Sequence, residues 1–120
     1  MAALGEGGIR VYRTRDWTEL GRDPDYGADS YWIDFDSRGR LVTSRYDGFI
    51  RLYDPQLRMA KKKAPGGERL FAVAFAPDGG RVAVGFADST AVNVLSGTDL
   101  SLRYSPDISG LDKGNLSTVA

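Results

Sequence analysis

The stretch Ser30-Tyr-Trp-Ile-Asp-Phe-Asp-Ser-Arg-Gly-Arg-Leu-Val-Thr-Ser-Arg-Tyr-Asp-Gly48 returns as Arg69-Leu-Phe-Ala-Val-Ala-Phe-Ala-Pro-Asp-Gly-Gly-Arg-Val-Ala-Val-Gly-Phe-Ala-Asp-Ser89. A repeat of about 40 residues constrains a chain strongly, because each copy must be one supersecondary unit that buries its faces only by stacking on the next. Phe35 corresponds to Phe75, and Asp47 to Asp88 one residue further on, because Gly80 lengthens the second turn. Ile50-Arg-Leu-Tyr53 also matches Ile9-Arg-Val-Tyr12 and, more loosely, Val92-Asn-Val-Leu95. The same late segment therefore occurs three times.

Between these landmarks the chain alternates apolar and polar residues in short runs punctuated by turn residues, the pattern of half-buried antiparallel strands. Tyr31 to Phe35, Leu41 to Tyr46, Phe49 to Tyr53 and Leu57 to Ala60 form one four-stranded unit. Leu70 to Phe75, Arg81 to Phe86, Val92 to Leu95 and Leu100 to Tyr104 form a second. Asp47-Gly48, Asp78-Gly79 and Asp88 mark the turns, where aspartate and glycine tolerate positive φ. No segment has the spacing of a long amphipathic helix, so the fold class is all-β. The expected organisation is the last two strands of a unit in 1–27 (Ile9 to Thr14 and Trp17 to Leu20), complete units in 28–66 and 67–106, and the first strand of a further unit in 107–120.

Phe75-Ala-Pro-Asp-Gly79 at a strand end, Asp47-Gly48, and Ile50-Arg-Leu-Tyr-Asp54 together resemble the WD-repeat family of β-propellers, in a divergent bacterial form. The resemblance runs from about Gly7 to Ala120. It implies antiparallel four-stranded blades, two complete and one partial at each end, with Tyr31 to Phe35 and Leu70 to Phe75 lining the channel. It also implies a non-catalytic scaffold or sensor for protein partners, attached to further domains. The family's Gly-His pair is missing, so its hydrogen-bonded tetrad cannot form; Tyr53 and Leu95 stand where the family has tryptophan. Propellers close with roughly four to eight blades. Further blades are therefore expected from a longer parent chain or from oligomerisation.

Composition narrows the chemistry. The 120 residues hold 16 basic and 16 acidic side chains, with no cysteine and no histidine. Zero net charge provides no global attraction to nucleic acid or an anionic membrane. The missing residue types remove thiolate ligands, the commonest zinc ligand and the commonest general base, so no metal, no cofactor and no enzyme activity are expected. The first residues carry no basic and apolar leader, and no run approaches a membrane span, which makes the cytoplasm the default compartment.

Several groups invite a chemical reading. Asp34-Phe-Asp36-Ser-Arg38-Gly39 has the oxygen spacing of a calcium loop, but Arg38 occupies a ligand position and the second repeat lacks the first two acids. Asp23 with Asp25, or Asp34 with Asp36, could act as an acid–base pair; a propeller hydrolase or small-ligand-binding propeller is thus the alternative function. Lys61-Lys-Lys63 suits a guarded sheet edge. The surface best suited to a partner is the rim bearing Tyr26, Tyr31, Arg45, Tyr46 and Phe86, since tyrosine and arginine dominate binding hot spots.

Overall fold

Short β-prone runs separated by Asp, Gly and Pro turns fold into eleven strands with no α-helix in the computed structural model, which describes residues 2–5, 8–24, 30–66 and 69–110. The first blade is β1 (Ala2–Gly5), β2 (Gly8–Tyr12) and β3 (Glu19–Asp23). The second is β4 (Ser30–Phe35), β5 (Leu41–Arg45), β6 (Ile50–Tyr53) and β7 (Met59–Lys63). The third is β8 (Leu70–Phe75), β9 (Arg81–Phe86), β10 (Val92–Ser96) and β11 (Leu102–Tyr104). Each sheet is a meander of antiparallel neighbours in chain order.

Two expectations need correction. The described residues of 1–27 hold three strands rather than two, because Ala2–Gly5 pairs with β2 in the register Leu4↔Ile9. Ala-Ala-Leu-Gly has neither alternation nor β-branched residues, so a neighbouring strand, not propensity, makes it a strand. The fourth strands begin at Glu19, Met59 and Leu102, about two residues later than expected, because Trp17, Leu57 and Leu100 each take positive φ (58°, 59° and 61°) to finish the preceding turn. The strand expected in 107–120, centred on Leu116 to Ala120, lies outside the described residues.

The core sits between blades, and period-two alternation sends neighbouring side chains to opposite interfaces. On β5, Leu41 joins Ile9 and Tyr53 in a cluster against the first blade, flanked by Val11, Ile33 and Leu57. The next residue, Val42, joins Ile50 and Leu52 of the second blade in a larger cluster with Leu70, Val73, Val82, Leu95 and Leu100 of the third. Trp32 packs on the edge of that cluster with its ring 6.3 Å from Phe71.

Candidate protein-interaction rim

Gly48 adopts φ 80° and its N–H donates to the Arg45 carbonyl, closing the turn between β5 and β6. Asp47 then does two things. One carboxylate oxygen accepts the Phe49 N–H at 3.0 Å, and the other accepts from Arg51 at 2.6 Å and pairs with Arg45 at 3.4 Å. Partial burial pushes the Asp47 carboxyl up, but the Arg51 hydrogen bond, the Phe49 N–H and the charges of Arg51 and Arg45 outweigh it and hold the group below the usual carboxylate range. Tyr46 projects from this braced turn and is 39% exposed. Arg45 and Tyr46 thus lie together on a turn that arginine–carboxylate pairs hold in place.

Phe86 does not belong to that rim. It is buried at the end of β9, opposite Leu70 and within the cluster between second and third blades. An aromatic side chain one residue before a turn is drawn inward when its neighbour across the strand is apolar, whereas Arg45 at the corresponding position keeps its charge near water. Tyr26 lies outside the described residues, as does the side chain of Tyr31, whose backbone is in β4. Asp88 is an exposed residue of the β9–β10 turn.

At the opposite end of the sheets the calcium-like loop has another use. Asp36 accepts from the N–H groups of Arg38 (2.9 Å) and Arg40 (2.8 Å) and from Arg40 Nε (2.7 Å), which fills its carboxylate. Burial pushes the Asp36 carboxyl up, while these hydrogen bonds and the Arg40 charge more than reverse that and lower it. Arg40 reaches onward to the third blade, donating to the Gly79 carbonyl at 2.7 Å and to the Gly97 carbonyl, with its guanidinium 5.3 Å from the Phe75 ring centre. Gly79 has φ 69°, and a Cβ there would stand 2.7 Å from Asp36 Oδ2, so both conformation and space require glycine. Asp78 accepts the Gly80 N–H at 2.8 Å and shapes the same turn.

The remaining candidate acids are also bonded across blades. Asp34 accepts the Phe75 N–H at 2.8 Å, and Asp23 accepts the Tyr53 hydroxyl at 2.7 Å. Tyr53 therefore bonds to the blade before it. Asp34 and Asp36 do not stand as a free acid–base pair; Asp25 lies outside the described residues. Among the described residues no three acidic, histidine or cysteine side chains gather as a metal site, and no helix is long and apolar enough to cross a membrane. Sequence reasoning missed Arg40, although Arg81 after Gly80 repeats Arg40 after Gly39.

Stacked antiparallel sheets, two of four strands and one with three described strands, are blades of a β-propeller, and the chain has the β-propeller fold. No family profile and no curated protein matches it. Among solved structures it is similar to a chain of a mitotic checkpoint complex, with TM-score 0.73 and 17% identity over 85% of this chain and 31% of that one. It is also similar to the dihydro-heme d1 dehydrogenase NirN in complex with DHE, with TM-score 0.76 and 20% identity over 97% of this chain and 26% of that one. The chain spans less than a third of either. The second similarity overturns the expectation that the chain is not an enzyme, because a propeller of this build belongs to a dehydrogenase. Lack of histidine and cysteine is no ground for placing the chain outside enzymes.

Proposed function

We propose that the chain is a WD-repeat-type propeller segment serving as a protein–protein interaction scaffold or sensor within a larger multidomain protein of the bacterial cytoplasm. The observation that carries this reading is the Arg45–Tyr46 turn, an exposed aromatic and an arginine held rigid by Asp47 and Arg51. Preorganised tyrosine and arginine lose little entropy on binding, which is why such residues carry interface energy. One similar structure being that of a multiprotein complex supports the reading at the level of fold. Residues 28–66 and 67–106 act as the two complete blades, and further blades close the ring.

The test compares wild type with an Arg45→Ala, Tyr46→Ala double variant as baits in an extract of the source cells. A protein retained by wild type and lost from an equally stable double variant supports the rim. Identical retention by both baits rejects it. The rival, a ligand-binding propeller, draws on the similarity to NirN solved with DHE; a small molecule co-purifying with the intact chain favours it.

A further inference from the structure

The last strand of each blade forms its outer edge, and the three edges differ in charge. On β3, Glu19 and Arg22 neutralise each other at 2.6 Å. On β11, Leu102-Arg-Tyr104 carries a single cation. The edge of the second blade is unlike both, because Arg58-Met-Ala-Lys-Lys-Lys63 puts four cations into six residues of a chain whose net charge is zero. Asp54 answers Arg58 at 2.9 Å, while among the described residues no carboxylate pairs with Lys61, Lys62 or Lys63.

The register decides where these cations point. Ile50↔Lys63 and Leu52↔Lys61 set Lys61 and Lys63 on the sheet face toward the third blade, the face on which Ile50 and Leu52 are buried. Arg51↔Lys62 and Tyr53↔Met59 set Lys62 and Met59 on the face toward the first blade. Met59 to Lys62 are exposed and Lys63 is half-buried. Lys62 holds its ammonium group 4.4 Å from the Phe49 ring centre, a cation–π contact that steadies the side chain along the edge. β7 has β6 on one side and ends the sheet on the other. Alternate residues therefore turn unpaired N–H and C=O groups outward. This edge points away from the stack of sheets, so blades before the first or after the third would leave it open.

We infer that β7 is a docking edge for an acidic, extended peptide of a partner protein, which adds to the second blade as a further strand with consecutive carboxylates opposite Lys61, Lys62 and Lys63. Consecutive acids are needed because neighbouring residues of a strand alternate faces, as these lysines do, and directly opposite side chains share a face. The open edge offers carbonyl acceptors as well as N–H donors. A phosphate chain could answer only the donors and the ammonium groups, whereas a peptide strand answers all of them. Zero net charge also withholds the long-range pull that a polyanion would need. Lysine on an edge discourages pairing with ordinary strands, yet an acidic strand meets opposite charge there. The side chains that prevent aggregation thus select the partner. The inference rests on the scaffold reading only in taking a protein as partner, and adds a surface separate from the Arg45–Tyr46 rim.

The test titrates the intact protein into a fluorescent peptide, Thr-Val-Thr-Glu-Glu-Glu-Val-Thr-Val, and follows its anisotropy. Wild type should bind it, more weakly as salt rises. A Lys61→Glu, Lys62→Glu, Lys63→Glu variant with unchanged circular dichroism should bind it at least ~tenfold more weakly, and should gain binding to the matching peptide with lysines in place of the glutamates. N-methylation of every second peptide nitrogen, made in both alternations, keeps the charge and blocks one strand edge at a time. One of the two methylated peptides should lose binding. No binding by wild type, equal binding of both methylated peptides and their parent, or tighter binding of an oligothymidylate or of phosphatidylserine vesicles than of the peptide overturns the proposal. Because the peptide is defined and no cell extract enters, failure here says nothing against Arg45 and Tyr46, and failure of that rim says nothing against β7.

Discussion

The two inter-blade interfaces of this chain differ in how they are held. Between second and third blades, a cluster of ten buried apolar residues is framed by Arg40 on Gly79 and Gly97, Asp34 on the Phe75 N–H, and the Ser44 hydroxyl on the Phe71 carbonyl at 2.6 Å. Between first and second blades the fully buried cluster is Ile9, Leu41 and Tyr53, with the Tyr53–Asp23 hydrogen bond beside it. The difference follows from the inner strand. β8 packs on the second blade's own innermost strand, β4, giving the Phe75 N–H to Asp34, whereas β4 in turn finds no described strand inside β1 on the first blade. A propeller interface is therefore set by its innermost strand more than by the area of the outer ones.

The largest effect that would break this contrast is removal of the clamp. Arg40→Ala leaves Asp36, whose side chain is fully buried, without its cation, and should cost about 3 kcal/mol in a urea titration. Acid tests the same group. The folded pKa values of Asp36 and Asp47 lie below the ordinary 3.8, so the stability they add is complete above that value and is lost as pH falls through the lowered pKa. The stability gap between wild type and Asp36→Asn should hold steady above pH 3.8 and shrink below it; a constant gap would show that the carboxylate charge is irrelevant.

Smaller changes should act on the weaker interface alone. Tyr53→Phe removes the bond to Asp23 and should cost about 1 kcal/mol. Hydrogen exchange should then quicken in β2 and β3 while β8 to β10 stay as protected as before; uniform quickening would mean that the three blades unfold as one. Thr43 sharpens the comparison from the other side. It is fully buried and its hydroxyl has no hydrogen-bond partner. Since it alternates in phase with Leu41, it faces the first blade. Thr43→Val keeps the shape and removes the cost of an unmade hydrogen bond, so melting should rise by the equivalent of about 1 kcal/mol.

The blades were legible in the sequence because Asp47-Gly48, Ala76-Pro-Asp-Gly79 and the alternating runs between them are local signals. Ala2–Gly5 was not, since its strand character comes from pairing with β2. The clamp was half visible: Asp36 stood out as part of a turn. Its actual partner, Arg40, ends on the carbonyls of Gly79 and Gly97, and backbone acceptors on another blade leave no mark in the residues that find them. Phe86 went astray for a related reason. Proximity to a turn suggested the surface, whereas its apolar partner across the sheet, Leu70, decided its burial.

Leu57 and Leu100 hold positive φ without being glycine, a conformation that costs roughly 1 kcal/mol for an L-residue. Part of what recovers that cost lies on the blade before: Leu57 meets Gly21 and Ile9 beside Leu41 and Tyr53 of its own blade, and Leu100 lies with Val42 and Leu52 beside Val82 and Leu95 of its own. An isolated blade would keep the strained turn and lose the share of that packing its predecessor supplies. The turn therefore couples the folding of neighbours: a blade's last strand settles once its predecessor is in place, and cooperativity along the propeller is carried by one backbone angle per blade.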